Sequence, residues 1–245
     1  MVNIITLNTW GACGPFEERW RFLLKELYKD SPDIVFLQEI SNEKHLSDLQ
    51  DKTSLPFSAM RREAGLAIAT KFEIITHDVL IYDTRSPQED YERAALIAEI
   101  KIGTHNILLA NTHLAWRPDD ELYRLGQVTE LINFLKKKKM PAILAGDFND
   151  VLQNTPLQTL VKEGYVDLFG ALRPNDPSLT WDNLNPYMNY HSVKLPDRRI
   201  DFIFASKEFS ASIPESKCRI ILNQPNSNGI YASDHYGVFA QFAIH

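Results

Sequence analysis

The sequence predicts a mixed α/β protein forming one domain over residues 1–245, built on packed β-sheets. Three observations predict it. Short apolar runs of strand length recur and end in polar groups, as in Ile34-Val35-Phe36-Leu37 before Gln38-Glu39. Longer segments with apolar residues at helical spacing lie between some of these runs. In the middle of the chain strands follow one another without a helix, the pattern of antiparallel sheet. No internal repeat, low-complexity tract or linker divides the chain, and two-sheet or barrel domains reach this length as single units.

Val2 to Leu7 is rich in β-branched residues and reads as the first strand, ending at Asn8. Thr9 to Pro15 is a loop by its Gly and Pro residues. Trp20, Leu23, Leu24, Leu27 and Tyr28 make one face of a helix over Glu17 to Lys29, stopped by Ser31-Pro32-Asp33. Ile34 to Leu37 is a buried strand, and Asn42 to Lys52 reads as a short helix. Strands are expected at Gly65–Thr70, Ile74–Tyr82, Arg93–Ile102 and Asn106–His113, with a polar loop over Thr84 to Tyr91. Asp119 to Lys139 is the longest helix, capped by Asp119 or Asp120 and ending in Lys136 to Lys139, cations that complement the helix dipole. A strand from Pro141 closes at Gly146, and Pro156 to Lys162 reads as a short helix. Asp167 to Pro177 is loop-rich, and Thr180 to Pro186 is a surface loop with one large aromatic, Trp181. Further strands follow at Ile200–Ala205, Arg219–Leu222 and Gly237–Ala243, with a polar loop over Asn223 to Ala232.

The formal net charge of −6 disfavours indiscriminate binding to a nucleic-acid backbone, although a local basic patch remains compatible with it. No apolar run of about 18 residues is present, so no transmembrane helix is expected. The first residues lack a basic leader and a long apolar segment, so they make a poor signal peptide. Cys13 and Cys218 are the only cysteines; they leave one disulfide open and give no zinc-site spacing. The expectation is a reduced, cytoplasmic monomer.

The chemistry collects where strands stop. In Gly146-Asp147-Phe148-Asn149, positions i and i+2 face the same side, so Asp147 and Asn149 can share a cavity while Phe148 packs behind them. The same residues also suit a plain turn. Glu39 follows four apolar residues and is costly there unless paired, hydrogen-bonded or bound to a cation, or simply exposed. His113 ends another apolar strand, either as a core histidine or aimed at a ligand. Asp201 interrupts an apolar strand and needs a partner, for which a histidine is suited. Asp234 and His235 open the last strand. Groups at several strand ends can converge on one crevice. These carboxylates and carboxamides are hard oxygen donors that suit Mg²⁺ or Mn²⁺ and not zinc. With a cation, a water-activating carboxylate and two histidines, the set is equipped to hydrolyse a phosphate ester.

Leu7-Asn8-Thr9-Trp10, Phe36-Leu37-Gln38-Glu39, Asn111-Thr112-His113-Leu114, Gly146-Asp147-Phe148-Asn149, Arg199-Ile200-Asp201-Phe202 and Ser233-Asp234-His235 together resemble the endonuclease/exonuclease/phosphatase superfamily, the deoxyribonuclease-I-like fold. The motifs stand in the family's order from residue 8 to residue 235. The resemblance implies a four-layered α/β sandwich, two mixed β-sheets face to face with helices on the outer faces. It implies Glu39 as the principal metal ligand with Asn8 beside it, for Mg²⁺ or its substitute Mn²⁺. Asp147 matches the group that orients or deprotonates water, and Asn149 a positioner of phosphate and water. His235 matches the phosphate-binding histidine, Asp201 the carboxylate that orients it, His113 a second phosphate contact, and Asp234 a residue near the metal or leaving group. The general base stays open between Asp147 and His235.

Two departures narrow the likeness. Trp10 stands where some nucleases carry an acid, and Asp150-Val151 counts against the inositol-polyphosphate 5-phosphatases. Thr180-Trp181-Asp182 and Asp197 to Asp201 are similar to bacterial members near neutral sphingomyelinases and tyrosyl-DNA phosphodiesterases. Arg93, Trp181 and Arg199 are the expected substrate-binding residues; Arg124 and Arg198 lie in neighbouring segments, Arg124 more simply as a salt-bridge partner. The leading function is metal-dependent hydrolysis of a phosphodiester or phosphomonoester, whether a lipid headgroup or nucleic acid. The alternatives are a nuclease and a catalytically inactive binding module on the same fold.

Overall fold

The computed structural model describes residues 1–244; His245, the last residue of the expected domain, lies outside them. In chain order the elements are β1 (Val2–Asn8), α1 (Phe16–Asp30), β2 (Ile34–Gln38), α2 (Glu43–Thr53), β3 (Phe57–Arg61), β4 (Leu66–Thr70), β5 (Ile74–Ile81), β6 (Ala94–Ile102), β7 (His105–His113), α3 (Glu121–Lys138), β8 (Ala142–Asp147), α4 (Thr155–Lys162), β9 (Val166–Asp167), α5 (Leu168–Leu172), β10 (Asp201–Ala205), β11 (Lys217–Ile221) and β12 (Gly237–Phe242). Two short 3₁₀ helices, Pro186–Tyr190 and Lys207–Glu215, interrupt the loops.

The strands form two six-stranded sheets, ordered β11-β12-β1-β2-β4-β3 and β5-β6-β7-β8-β10-β9. Each is mixed, with a parallel pair at its centre: β1 beside β2 and β7 beside β8. The middle of the chain is the antiparallel run β5-β6-β7, as its helix-free pattern predicts. Alternation along the strands builds the layers. Ile4, Phe36, Leu109, Ile143, Ile203 and Val238 meet between the sheets. Their neighbours Ile5, Val35 and Leu37 face α1 and α2 through Trp20, Leu23, Leu27, Leu46 and Leu49. Leu108, Leu144, Phe202 and Phe204 face α3 and α4 through Val128, Leu131, Leu135 and Leu157. The molecule is the expected four-layered sandwich.

Register brings the polar strand ends together. Asn8 lies beside Gln38, and His113 beside Asp147, because both pairs run parallel. Antiparallel β10 starts with Asp201 opposite Asp147, and β12 starts beside the end of β1. Contacts of β1 with β8 and of β2 with β7 carry the two sets of ends to one rim of the sandwich.

Several local expectations are corrected. Asp120 precedes α3 but does not cap it with its side chain; its Oδ1 accepts from Ser86 Oγ at 2.9 Å. The stretch expected as loop from Asp167 holds β9 and α5, which is capped where Asp167 Oδ2 accepts from the Gly170 N–H. β3 and the 3₁₀ helices carry no clear periodicity, being short or half exposed. Cys13 and Cys218 are free thiols. Among the described residues no helix is long and apolar enough to cross a membrane.

Candidate active site

A cavity of about 460 Å³ opens at the rim where the strand ends meet. Its floor and walls include Glu39, His113, Asp147, Asn149, Asp234 and His235. The backbone is forced there. Trp10, Glu39 and Asn149 take left-handed conformations, with φ of 57°, 58° and 51°. Each costs of order 1–3 kcal/mol and persists only where its surroundings fix it. Thr9 Oγ1 donates to the carbonyls of Gln38 and Glu39, and the Ile40 N–H donates to Gly65 O, which hold Glu39. Asp147 Oδ1 accepts from the Asn149 N–H at 2.9 Å, and Asn149 Nδ2 donates to Leu114 O at 3.1 Å. Phe148, fully buried, packs edge-on against Phe202 and Phe204 and anchors the turn from below.

Asn8 brackets two carboxylates. Its Nδ2 donates to Glu39 Oε1 and to Asp147 Oδ2, both at 3.0 Å, and its Oδ1 accepts from the Trp10 N–H. The Asp147 carboxyl is pushed up to about 7 by burial and by the nearby Asp201, against the pull of His235 and Asn8. His235 Nδ1 lies 2.9 Å from Asp201 Oδ2, and its Nε2 lies 3.8 Å from Asp147 Oδ2. Burial opposes a charged imidazole there, but Asp201 and Asp147, the bond to Asp201 and the charge of Asp234 hold His235 well above the ordinary histidine range. His113 Nε2 is 3.4 Å from Asp147 Oδ2. Burial, then the charges of Arg93 and His235, push it well below that range, so the two histidines are shifted in opposite directions.

The donor set suits a hard cation. Burial raises Glu39, and the negative charge of Asp234 raises it further, together more than the Asn8 hydrogen bond and the charges of His235 and Arg93 lower it. A divalent cation at Glu39 would relieve that repulsion. Asp147, Asp201 and His235 also place ligand atoms within 4.8 Å of one another, but there Asp201 Oδ2 is already engaged by His235 Nδ1 at 2.9 Å. Among the described residues the buried Asp201 Oδ1 has no hydrogen-bond partner.

Of the expected substrate-binding residues, Arg93 and Trp181 line the cavity. Arg93 is held by Glu89, Nε to Oε2 at 2.7 Å, and Trp181 meets the His235 ring edge-on at 5.2 Å. Arg199 does not reach it. Its guanidinium is bidentate on the Asp167 carboxylate and covers the Phe202 ring at 4.2 Å, on the far side of β10. Arg124 is buried against Asp150 at 2.8 Å, the salt-bridge role. Sequence reasoning missed His191, whose Nε2 lies 2.8 Å from Asp234 Oδ2 on the cavity wall. It missed Arg19, a buried guanidinium that donates to the carbonyls of Thr9, Gly11, Cys13 and Ala232 and stacks on Trp10. It missed Tyr91 and Trp116 on the rim. None of these residues follows an apolar strand, the signal that marked the others.

Comparison with known proteins agrees with this geometry. The Endonuclease/Exonuclease/phosphatase family model matches residues 5–235. Tyrosyl-DNA phosphodiesterase 2 of Xenopus tropicalis is 27% identical over 255 residues, covering 96% of this chain and 65% of that protein. Protein angel of Drosophila melanogaster is 29% identical over 181 residues, covering 65% of this chain and 51% of that protein. The chain thus spans between half and two thirds of the length of these curated relatives. The structure of D. rerio TDP2 complexed with single strand DNA product superposes with a TM-score of 0.81 at 21% identity, covering 99% of each chain, a likeness of fold. The match begins inside β1 and closes on His235, so it takes in every strand end that lines the cavity, and the chain belongs to the Endonuclease/Exonuclease/phosphatase family.

Proposed function

We propose that the chain hydrolyses a phosphodiester by attack of water on phosphorus, with one divalent cation, Mg²⁺ or Mn²⁺, held by Glu39 next to Asn8. The observation that carries the reading is the grouping of Asp147, pushed up to about 7, with a charged His235 and a neutral His113, all within 4 Å of Asp147 Oδ2. A base with a pKa near 7 is matched to taking a proton from water near neutral pH. Asp147 is that base, and the Asn149 side chain orients the water. His235 donates from Nε2 to a phosphoryl oxygen as negative charge builds, while Asp201 fixes its tautomer and orientation. His113 supplies a second, neutral donor, and Asp234 stands on the leaving-group side, oriented by His191. The cation, when bound, adds Lewis-acid stabilisation of the phosphoryl oxygens. Arg93 and Trp181 contact the substrate beyond the reacting phosphate. Relatives named tyrosyl-DNA phosphodiesterase support a nucleic-acid phosphodiester as the substrate.

A nuclease acting within or along a strand is the second reading, favoured by the aromatic residues Tyr91 and Trp116 on the cavity wall, which suit base stacking. The complete set of polar side chains counts against an inactive binding module. The reading takes the chain as one domain acting as a monomer in the cytoplasm, in keeping with two free thiols.

The test is hydrolysis of bis-p-nitrophenyl phosphate. EDTA is expected to abolish it, and Mg²⁺ or Mn²⁺ to restore it. Full turnover in a rigorously metal-free sample would overturn the metal's role, and no turnover with any divalent ion would overturn the reaction.

A further inference from the structure

A second cavity, of about 780 Å³, lies behind the catalytic turn and is lined by Val151, Leu152, Tyr165, Asp167, Arg173, Arg198, Arg199 and Phe202, among others. It adjoins the catalytic cavity through two short links. Asp147 and Asn149 line the first cavity and Val151 lines the second. Trp181 lines the first, and its backbone exchanges both hydrogen bonds, at 2.9 Å, with Arg198, which lines the second.

The charges of this cavity are accounted for, with one exception. Arg199 is bidentate on Asp167, Arg173 Nε donates to Cys218 O, and Asp197 accepts from Asn183. Among the described residues the Arg198 guanidinium joins no ion pair, and its buried Nε has no hydrogen-bond partner. Burial disfavours its charge, while Asp147 is the strongest of the nearby charges that favour it, so the guanidinium lies within electrostatic reach of the catalytic carboxylate. A guanidinium stays charged and presents a planar fork of donors that matches a phosphate. Each of the other arginines around the active site already has a protein partner: Arg62 is paired with Glu43, Arg93 with Glu89 and Arg124 with Asp150, and Arg19 donates to backbone carbonyls.

We infer that Arg198 and the second cavity form a subsite for a further phosphate group of the substrate, one linkage along a phosphodiester strand from the phosphate that is cleaved. The inference rests on the proposed phosphodiesterase reading, and it moves substrate recognition from Arg199, which is internally paired, to its neighbour. It makes Arg198 a specificity-determining residue and not a catalytic one.

Calorimetric binding tests this without turnover. The probes are thymidine 3′,5′-bisphosphate and the 3′- and 5′-monophosphates, titrated into the wild-type chain, Arg198→Met and Arg198→Lys in the presence of Mg²⁺. The wild type is expected to bind the bisphosphate about tenfold tighter than either monophosphate. R198M should erase that ratio, and R198K should keep part of it. Circular dichroism and thermal unfolding confirm that each variant is folded, and R198K serves if R198M is not. Equal affinity of the wild type for all three probes, or an undiminished ratio in folded R198M or R198K, overturns the subsite. Failure to hydrolyse bis-p-nitrophenyl phosphate overturns the catalytic reading and leaves the binding ratio to decide the subsite.

Discussion

At the scale of single residues, one proton position organises the site. Asp201 and His235 share a 2.9 Å bond and are both fully buried, so the imidazolium depends on the carboxylate for its charge and its orientation. Groups that act as one unit lose activity non-additively. Asp201→Asn and His235→Ala are each expected to lower kcat by at least about a hundredfold, and the double variant to be little worse than the worse single one. Kinetics and thermal unfolding on all four proteins check this. If Asp201 served only the fold, Asp201→Asn would lower stability but keep turnover per folded molecule, and a multiplicative loss in the double variant would refute the coupling. The need for such a partner was legible in the sequence, because a carboxylate inside an apolar strand is costly alone. The choice between Arg198 and Arg199 was not. They are adjacent and chemically identical, and only the placement of Asp167, 32 residues away in sequence, decides that Arg199 is neutralised.

At the scale of elements, the site depends on how the sheets are fastened. Asn111 in β7 crosses the sandwich: its Nδ2 donates to Leu37 O and Ala67 O, both at 2.8 Å, and its Oδ1 accepts from Gln38 Nε2 at 2.7 Å. It thereby ties the strand that ends in His113 to the strand that leads to Glu39. Asn111→Leu keeps the branched shape but leaves buried groups unpaired, at about 1–3 kcal/mol each. The expected outcome is a loss of roughly 2–4 kcal/mol in denaturant unfolding, with reduced activity in the folded fraction. Stability within about 0.5 kcal/mol of wild type would show that the tie is dispensable. Gly146 is fixed as tightly, at φ 146° with a Cβ position 2.0 Å from Thr112 O, so no side chain fits between β8 and β7 there. The strands and long helices were legible because each carries an apolar period. Asn111 also stood in a recognised motif, but its bond across the sandwich was not legible, since no local pattern records the partner sheet.

At the scale of the whole molecule, packing two sheets so that their polar ends meet concentrates like charge in a chain that is already acidic, and this sets a pH dependence. Burial, then the charge of Asp201, push the Asp147 carboxyl up to about 7 in the folded chain, from the ordinary 3.8. Between those values the folded state holds more protons, so stability falls as pH rises through that window. His235, held well above 6.5 by Asp201 and Asp147 despite its burial, acts in the same direction. Its contribution is complete below 6.5 and is lost as pH rises through its folded value. His113 acts the other way, but only below 6.5, because above that it is neutral in both states. Above 6.5 the falling contributions therefore stand alone. The metal-free protein is expected to lose roughly 1–2 kcal/mol between about pH 6.5 and 8, or about 2–6 °C in Tm. A divalent cation at Glu39 supplies positive charge that protons no longer provide, so the Tm gain on adding Mg²⁺ should be larger at about pH 8 than at 6.5. Thermal unfolding in EDTA and in Mg²⁺ at both pH values measures all four quantities. A metal-free Tm that is flat or rising over this interval would remove Asp147 and His235 as the source. An equal gain from Mg²⁺ at both would separate cation binding from these buried charges.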